Sequence, residues 1–191
     1  MNARTVSETR REELVLAAYK LIAERGFEGL RTRDVAAEVG VNIATLHYYF
    51  PTKEALIRGV LEHAMRRFRT TLEPHGSPAD QLRNHLRSVR KLMGDEPQLG
   101  TVMGELALRS TRDKSVRLIV NEMFDAWQTA MRGLLRRAAR EGNLRSELNS
   151  DAVAALIIGS LMASTLPPMH EARRGDQALR QLETFLGLSG R

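Results

Sequence analysis

Three consecutive side chains with polar ring tips, His47, Tyr48 and Tyr49, are the part of the sequence best suited to binding another molecule. A short helix that buries Leu46 and Phe50 can place at most one further ring on its buried face. The other rings would face solvent, where an imidazole N–H or a phenol hydroxyl can donate to a phosphate while the ring packs on a sugar or a thymine methyl group. A core position with a satisfied hydroxyl is the alternative for one tyrosine. The run as a whole predicts contact with nucleic acid.

Two short helices separated by a tight turn are predicted between Arg31 and Phe50, and they would position these rings. Val35, Ala36 and Val39 recur at helical spacing. Gly40 ends the first helix, because a turn of this kind needs a positive φ that glycine adopts without strain. Helices joined so closely must meet at a steep angle.

Polar residues at the starts of the two helices support the same arrangement. Thr32 is placed to cap the first helix, and Asp34 lies in its positively polarised first turn. Asn42 can cap the second helix with its side-chain oxygen, while Val41 would fill the angle between the helices. This is the helix-turn-helix pattern, in which the second helix enters the major groove of DNA. A packed helical hairpin in any α domain is the alternative, but it does not explain the run of rings.

The segment from Ala36 to Leu56, AAEVGVNIATLHYYFPTKEAL, resembles the DNA-binding domain of the TetR family of transcriptional repressors. The shared features are the turn glycine, the short second helix, the aromatic run that ends at Phe50 and the capped Lys-Glu pair. With the preceding helix, predicted from Ser7 to Arg25, the resemblance covers about the first third of the chain. Beyond that, the chain is similar to the family in length and helical layout only.

Matching positions imply a set of DNA contacts. Ile43, Ala44 and Thr45 would face base edges, where an aliphatic group recognises a thymine methyl group, and His47, Tyr48 and Lys53 would bind phosphates. Many relatives have Lys and Gly in place of Ile43 and Ala44, and Tyr in place of His47. The full set of implied contacts is Thr32 or Arg33, Asn42, Ile43, Ala44, Thr45, His47, Tyr48, Tyr49 and Lys53.

Helices separated by breaking and capping residues make up the predicted fold, which is all α. We expect a helix-turn-helix domain over residues 1–51, a connecting helix over 52–72, and a helical domain over 73–191 that the resemblance identifies with ligand binding and dimerisation. The segment from Pro74 to Pro78 is the best domain boundary. Later helices are predicted at about 78–93, 97–110, 113–141, 150–166 and 174–186.

Apolar stripes on the last two helices predict an interface. The helix at 150–166 is apolar nearly all round, and Gly159 and Ala163 permit close approach of another helix. The resemblance implies a four-helix interface and a homodimer, whose two second helices would read a pseudo-palindromic operator about one DNA turn apart. A monomer that packs the same stripes internally is the alternative. The interface set is Ala152, Ala155, Leu156, Gly159, Ala163, Leu179, Leu182 and Leu186.

An apolar ligand cavity in the larger domain is also implied by the resemblance. Eight methionines and only 5% aromatic residues suit a pliable site for a small, mostly apolar effector, whose binding would release the repressor from DNA. Ordinary core packing is the alternative for most of the candidates. These are His63, Met65, Leu92, Met93, Met103, Leu106, Phe124, Trp127, Met131 and Met162, with Phe124 and Trp127 foremost.

Charge and composition narrow the remaining classes of function. A net charge of +6 favours an anionic partner, but residues 1–50 contain seven bases and seven acids, so the motif rather than net charge identifies the DNA-binding end. The absence of cysteine excludes disulfides, a thiol nucleophile and zinc-thiolate sites. The histidines lack metal-ligand spacing and no nucleotide-binding or hydrolase motif is present, so we expect no cofactor, no metal and no enzymatic activity.

The amino terminus and the longest apolar run bear on where the protein is expected to be located. The amino terminus lacks an apolar signal segment, so a cytoplasmic protein is expected. The apolar run at 152–169 is short for a membrane span and ends in two prolines, which favours a buried helix and no membrane partner. A partner-binding helical module on the same fold, or less favourably an enzyme, is the alternative function. The sequence leaves open the effector, the operator, the regulated genes, the choice between repression and activation, and higher oligomers on DNA.

Overall fold

The computed structural model describes residues 3–72, 75–142, 144, 148–164, 166 and 173–188. These residues contain helices and no strand, so the all-α prediction is confirmed. The elements are α1 (Ala3–Arg25), a 3-10 turn (Phe27–Gly29), α2 (Thr32–Glu38), α3 (Ile43–Tyr49), α4 (Lys53–Arg69), α5 (Pro78–Asp95), α6 (Pro97–Ser110), α7 (Lys114–Arg140), α8 (Ser150–Ala163) and α9 (Arg174–Phe185). Among the described helices, none has the length and apolar character needed to cross a membrane.

Predicted and observed helix ends differ by a few residues, and side-chain hydroxyls explain two of the differences. Helix α4 ends at Arg69, before the predicted Leu72, where Thr70 and Thr71 donate to the carbonyls of the preceding turn at 2.7 and 2.6 Å. Helix α8 ends in the same way, with Ser164 donating to a carbonyl at 2.6 Å. A hydroxyl that donates to one of these carbonyls competes with the backbone N–H that would otherwise continue the helix.

Contacts divide the chain into two compact units. The first unit contains residues 1–65 and 101–121, and the second contains residues 66–100 and 122–191. Helices α4, α6 and α7 therefore each contribute residues to both units. Residues 101–121 pack with the N-terminal residues, although they lie in the chain segment where the ligand-binding domain is predicted.

An apolar core fills the first unit around its three N-terminal helices. Helix α2 packs against both α1 and α3. The buried side chains at this junction are Leu14, Ala18, Leu21 and Ile22 of α1, Val35 and Ala36 of α2, and Leu46 of α3. Apolar burial thus fixes α3 by a single inward leucine, and most of its other side chains stay outside the core.

A buried histidine lies in the core of the second unit. The hydroxyl of Thr71 donates to the carbonyl of Phe68 at 2.6 Å, so the same oxygen accepts from Nδ1 of His85 at 2.8 Å. The indole N–H of Trp127 donates to Nε2 of His85 at 3.3 Å. Both ring nitrogens are satisfied in the neutral Nδ1–H tautomer. Burial lowers the pKa of His85 to about 4, so the ring is uncharged at neutral pH.

Acidification should destabilise the protein through His85. The unfolded histidine protonates near pH 6.5 and the folded one near 4, so the unfolded state binds more protons between these values. The free energy of unfolding should therefore fall as pH is lowered through this window, by at most about 3 kcal/mol. Urea unfolding at several pH values measures this fall in the free energy of unfolding. In His85→Gln the fall between pH 6.5 and 4 should disappear, and stability at neutral pH should be lower than in the unaltered protein.

The carboxyl group of Asp80 does not obscure this window. Hydrogen bonds from Ser77 and Arg83 lower the pKa of Asp80, so its contribution to stability is lost only at more acidic pH. Equal pH dependence of unfolding in the unaltered protein and His85→Gln would show that His85 is not responsible.

Candidate nucleic-acid interface

A left-handed turn at Gly40 joins α2 to α3. Gly40 has φ 69°, and a Cβ atom added there would meet no heavy atom within 4 Å. Glycine is therefore needed for its backbone conformation and not for space. The N–H of Val41 closes the turn by donating to the carbonyl of Ala36 at 2.9 Å. The predicted helix-turn-helix geometry is present.

Helix α2 begins differently from the prediction. Its N-cap is Arg31, in extended conformation and without a side-chain cap, and Thr32 is already the first helical residue. The prediction that Thr32 caps the helix is wrong, because the chain turns into the helix one residue earlier. Asp34 lies in the first turn as predicted, where its carboxylate is 3.6 Å from the guanidinium of Arg25.

Asn42 caps α3 as predicted and also fixes Thr45. Its Oδ1 accepts from the backbone N–H of Thr45 at 2.7 Å and from the hydroxyl of Thr45 at 2.9 Å. The hydroxyl proton of Thr45 is thus used within the turn. What Thr45 can offer to DNA is its methyl group and an oxygen lone pair, while the amide N–H groups of Asn42 can still donate.

The rings of α3 divide between the surface and the interior. Leu46 is fully buried, whereas 79% of Tyr48 is exposed and His47 is also exposed. Tyr49 is half-buried, and its ring meets that of Tyr48 edge to face with centroids 5.1 Å apart. Only one ring of the three shares the buried side, as the sequence pattern predicts. Ile43 is exposed at the start of the same helix.

Lys53 is held at the start of α4 by an aromatic ring. Thr52 caps this helix by accepting from the N–H of Ala55 at 3.1 Å. The ammonium of Lys53 lies 4.6 Å from the ring centroid of Phe27, in the 3-10 turn, and the guanidinium carbon of Arg109 lies 4.9 Å from the same centroid. Phe27 and Arg109 are not among the residues that the sequence predicts for this site. A lone aromatic residue directly after Gly26, between two helices, was the local signal.

The residues predicted to line a ligand cavity are distributed over both units. The first unit contains His63, Met65, Met103 and Leu106. The ring centroid of His63 lies 5.4 Å from that of Tyr19. The second unit contains the others: Leu92, Met93, Phe124, Trp127, Met131 and Met162.

Within the second unit, the structure brings the two foremost candidates together. The rings of Phe124 and Trp127 have centroids 6.5 Å apart, and Trp127 also packs on Phe68 at 5.1 Å. Trp127 and Met131 are almost completely buried, while Phe124 is half-buried. The cluster is a packed aromatic core in this structure, and its part in ligand binding stays a prediction.

A cavity of about 210 Å³ lies elsewhere in the second unit, beside α5 and the start of α9. Its charged lining differs from the apolar pocket that the sequence predicts, because Arg90 there is paired with Asp176 at 2.6 Å and with Glu183 at 3.4 Å. Among the described residues that line this cavity, Met93 is the only one that the sequence predicted for the pocket. The described lining consists of Arg90, Met93, Gly94, Ser164, Arg173, Gly175, Asp176 and Leu179. In the described part of the chain, no group of acidic or histidine side chains could hold a metal ion.

The predicted interface residues separate into an exposed and a buried set. Leu179, Leu182 and Leu186 are buried within the single chain, where α9 packs against α8 and α5. Internal packing of this kind is the alternative that the sequence leaves open, and the assignment of these leucines to a dimer interface stays a prediction. The large apolar side chain that α9 exposes is Phe185, at 64%. Ala163 is half-buried. The remaining positions, Ala152, Ala155, Leu156 and Gly159, are exposed and form what we call the outward face of α8.

Comparisons with known proteins cover most of the chain. The family model for bacterial regulatory proteins of the tetR family matches residues 14–60, and the model for the C-terminal domain of tetracyclin-repressor-like proteins matches residues 72–182. The nucleoid occlusion factor SlmA of Photobacterium profundum is 29% identical over 161 residues, which are 81% of each chain.

Solved structures show the same fold at lower identity. A TetR transcriptional regulator from Chloroflexus aurantiacus J-10-FL superposes with a TM-score of 0.79 at 24% identity, covering 95% of this chain and 96% of that one. The fatty acid degradation regulator FadR of Bacillus halodurans superposes with a TM-score of 0.78 at 20% identity, covering 94% of this chain and 98% of that one.

Proposed function

Because the chain belongs to the TetR family of bacterial regulatory proteins, we propose that it is a ligand-responsive repressor that binds a pseudo-palindromic operator as a homodimer in the cytoplasm. The observation that carries this proposal is the exposed side of α3. His47 and Tyr48 face solvent there, on a helix whose start is locked by Asn42 and whose preceding turn requires Gly40. Such a helix can enter the major groove without rearrangement.

Base recognition on this surface is largely apolar. Ile43, Ala44 and the methyl group of Thr45 would meet thymine methyl groups, since the hydroxyl of Thr45 already donates to Asn42. Polar ring tips of His47 and Tyr48 would bind phosphates. With few cationic contacts, the salt dependence of operator binding should be modest, since each neutralised phosphate contributes a slope of about 0.9.

Tyr48→Ala should weaken binding to DNA with little effect on stability. The side chain is 79% exposed and its ring contacts that of Tyr49, so the fold loses little. The loss of a hydrogen bond from its hydroxyl to a charged phosphate should cost about 1.5–3 kcal/mol of binding to a duplex selected from random sequence. Leu108→Ala is the matched control, because Leu108 is 63% exposed in the same unit but lies outside the helix-turn-helix. Fluorescence anisotropy and thermal unfolding measure the two effects. Unaltered DNA affinity in Tyr48→Ala would favour a partner-binding module.

A second candidate comes from the name that the curated relatives carry, nucleoid occlusion factor. In this alternative the chain binds DNA through the same α3, but it does not act by repressing transcription from a promoter. Mapping the bound sites along the chromosome separates the two. A few sites beside promoters support the repressor, whereas many sites scattered away from promoters support the second candidate.

Dimerisation is assigned in this proposal to the outward face of α8. Ala152, Ala155 and Gly159 are small, and a Cβ atom at Gly159 would meet open space within the single chain. Leu156 stands among them with 57% of its surface exposed. Small residues around one large apolar side chain allow close helix packing across a two-fold axis.

Leu156→Glu should convert dimers to monomers at micromolar concentration and weaken operator binding, because a carboxylate in that contact would be desolvated without a partner. The matched control is Leu118→Glu, since Leu118 is exposed to the same 57% but lies on α7 in the first unit. Sedimentation velocity measures the oligomeric state. If both variants remain dimeric, the interface lies elsewhere.

The effector is proposed to be small and mostly apolar and to bind in the second unit beside Phe124 and Trp127. These rings are packed in this structure, so an effector must open space among them, and it can shift the protein away from DNA only by binding the released state more tightly. Trp127 is the single tryptophan of the chain, so its fluorescence reports binding directly.

Titration of apolar compounds should give tighter binding to the free protein than to the operator complex. Equal affinities for the two forms would contradict release by a ligand. Turnover of a bound compound would instead indicate an enzyme.

A further inference from the structure

Lys53 is held in place by an interaction that leaves its charge available. Its ammonium lies 4.6 Å from the ring centroid of Phe27, and in the described part of the chain it forms no ion pair with a carboxylate. A carboxylate partner would compete with DNA for the ammonium N–H groups. An aromatic face attracts the cation through its quadrupole and does not neutralise it. Phe27 can therefore orient Lys53 and still leave its hydrogen-bond donors for a phosphate.

The turn that carries Phe27 is fixed by α6. The backbone N–H of Phe27 donates to Oε2 of Glu105 at 2.8 Å. Gly26, with φ 70°, precedes it, and a Cβ atom there would lie 3.1 Å from the same carboxylate oxygen. Phe27 itself is only 5% exposed. The ring is thus a fixed platform for the side chain of Lys53, a residue type that loses much rotamer freedom when it is ordered.

Arg109, the second cation beside the ring of Phe27, differs from Lys53 because it is paired with carboxylates. The guanidinium of Arg109 bonds the carboxylate of Glu28 at 2.7 Å and that of Asp113 at 3.1 Å. Its charge is therefore compensated by two acids. Of the two cations that share Phe27, Lys53 is the one that can meet an external anion.

From these contacts we propose that Phe27 is a positioning residue for DNA binding, because its ring holds the ammonium of Lys53 at the start of α4 in the place where a phosphate would be bound. The inference rests on the proposed DNA-binding function. A lysine that is already oriented loses less conformational freedom when it binds its phosphate. Phe27 is not itself a contact, since its ring is buried.

A double-mutant cycle tests the coupling of the two residues. Lys53→Met keeps the aliphatic stem and should weaken binding to a random-sequence duplex about tenfold, with the salt slope reduced by about 0.9, because one phosphate contact is lost. Phe27→Leu should weaken binding about threefold in the unaltered protein and have no effect in the Lys53→Met background. Equal factors in both backgrounds would mean that Phe27 acts only through packing, and this result would overturn the proposal.

If Phe27→Leu folds poorly, a fluorinated phenylalanine at position 27 tests the interaction of the ring with Lys53 instead. Pentafluorophenylalanine preserves the ring shape but removes its negative face, so it should reproduce the threefold loss without lowering the unfolding temperature. Phe68 is the matched control, because its ring is buried like that of Phe27 but belongs to the second unit, where it packs on Trp127 with centroids 5.1 Å apart. The same replacement at Phe68 should leave DNA affinity unchanged in the absence of effector, and an equal loss at both positions would overturn the proposal.

Failure of this inference can be told from failure of the proposed function. If the unaltered protein binds duplex DNA and Tyr48→Ala weakens that binding, but fluorination at Phe27 has no effect, only the positioning role is overturned. If the unaltered protein binds no duplex, both are overturned.

Discussion

The left-handed backbone at Gly40 is the constraint from which the DNA-binding surface follows. With φ 69° at that residue, the chain reverses between α2 and α3 within a few residues, and the N–H of Val41 returns to the carbonyl of Ala36. The reversal directs Leu46 into the core shared with α1 and α2. Once that one side chain is buried, helical geometry decides which residues of α3 face outward. The exposed rings therefore depend on a turn that contains none of them.

Charge pairing decides which cations of the first unit remain available to an external anion. Lys20 is paired with Glu38 at 2.6 Å, and Arg25 lies 3.6 Å from Asp34, so acidic side chains compensate the charges of these two bases. In the described part of the chain, Lys53 has an aromatic partner instead of a carboxylate. Local pairing, not the sum of charges, decides which cation can attract a phosphate.

Features set by neighbouring residues were predictable from the sequence. The positive φ of Gly40, the Asn42 cap and the helix bounds depend on residues a few positions apart, and all were predicted within a few residues. The cap of α2 was assigned to Thr32 because threonine is a preferred capping residue, yet the observed cap, Arg31, uses only its backbone. Capping propensity indicates which residue types suit an N-cap, but the path of the backbone decides which residue lies at that position.

Contacts between distant positions could not be predicted in this way. The bond from Phe27 to Glu105 joins residues 78 positions apart, and that from Arg109 to Glu28 spans 81. No local spacing encodes such pairs. The local sequence marks Phe27 only as an aromatic residue in a connection, so its partners on α4 and α6 become known only from the fold.

The last two helices show what an apolar stripe in a sequence can predict about burial. A stripe shows that a helix face is buried, but it does not say whether the covering element belongs to the same chain. The leucines of α9 are covered by α8 and α5 of their own chain. Helix α8 is apolar on more sides than these partners cover, and Leu156 remains 57% exposed beside Gly159. An apolar face that one chain leaves uncovered, with a glycine that admits a close neighbour, is what a second copy would need in order to pack there.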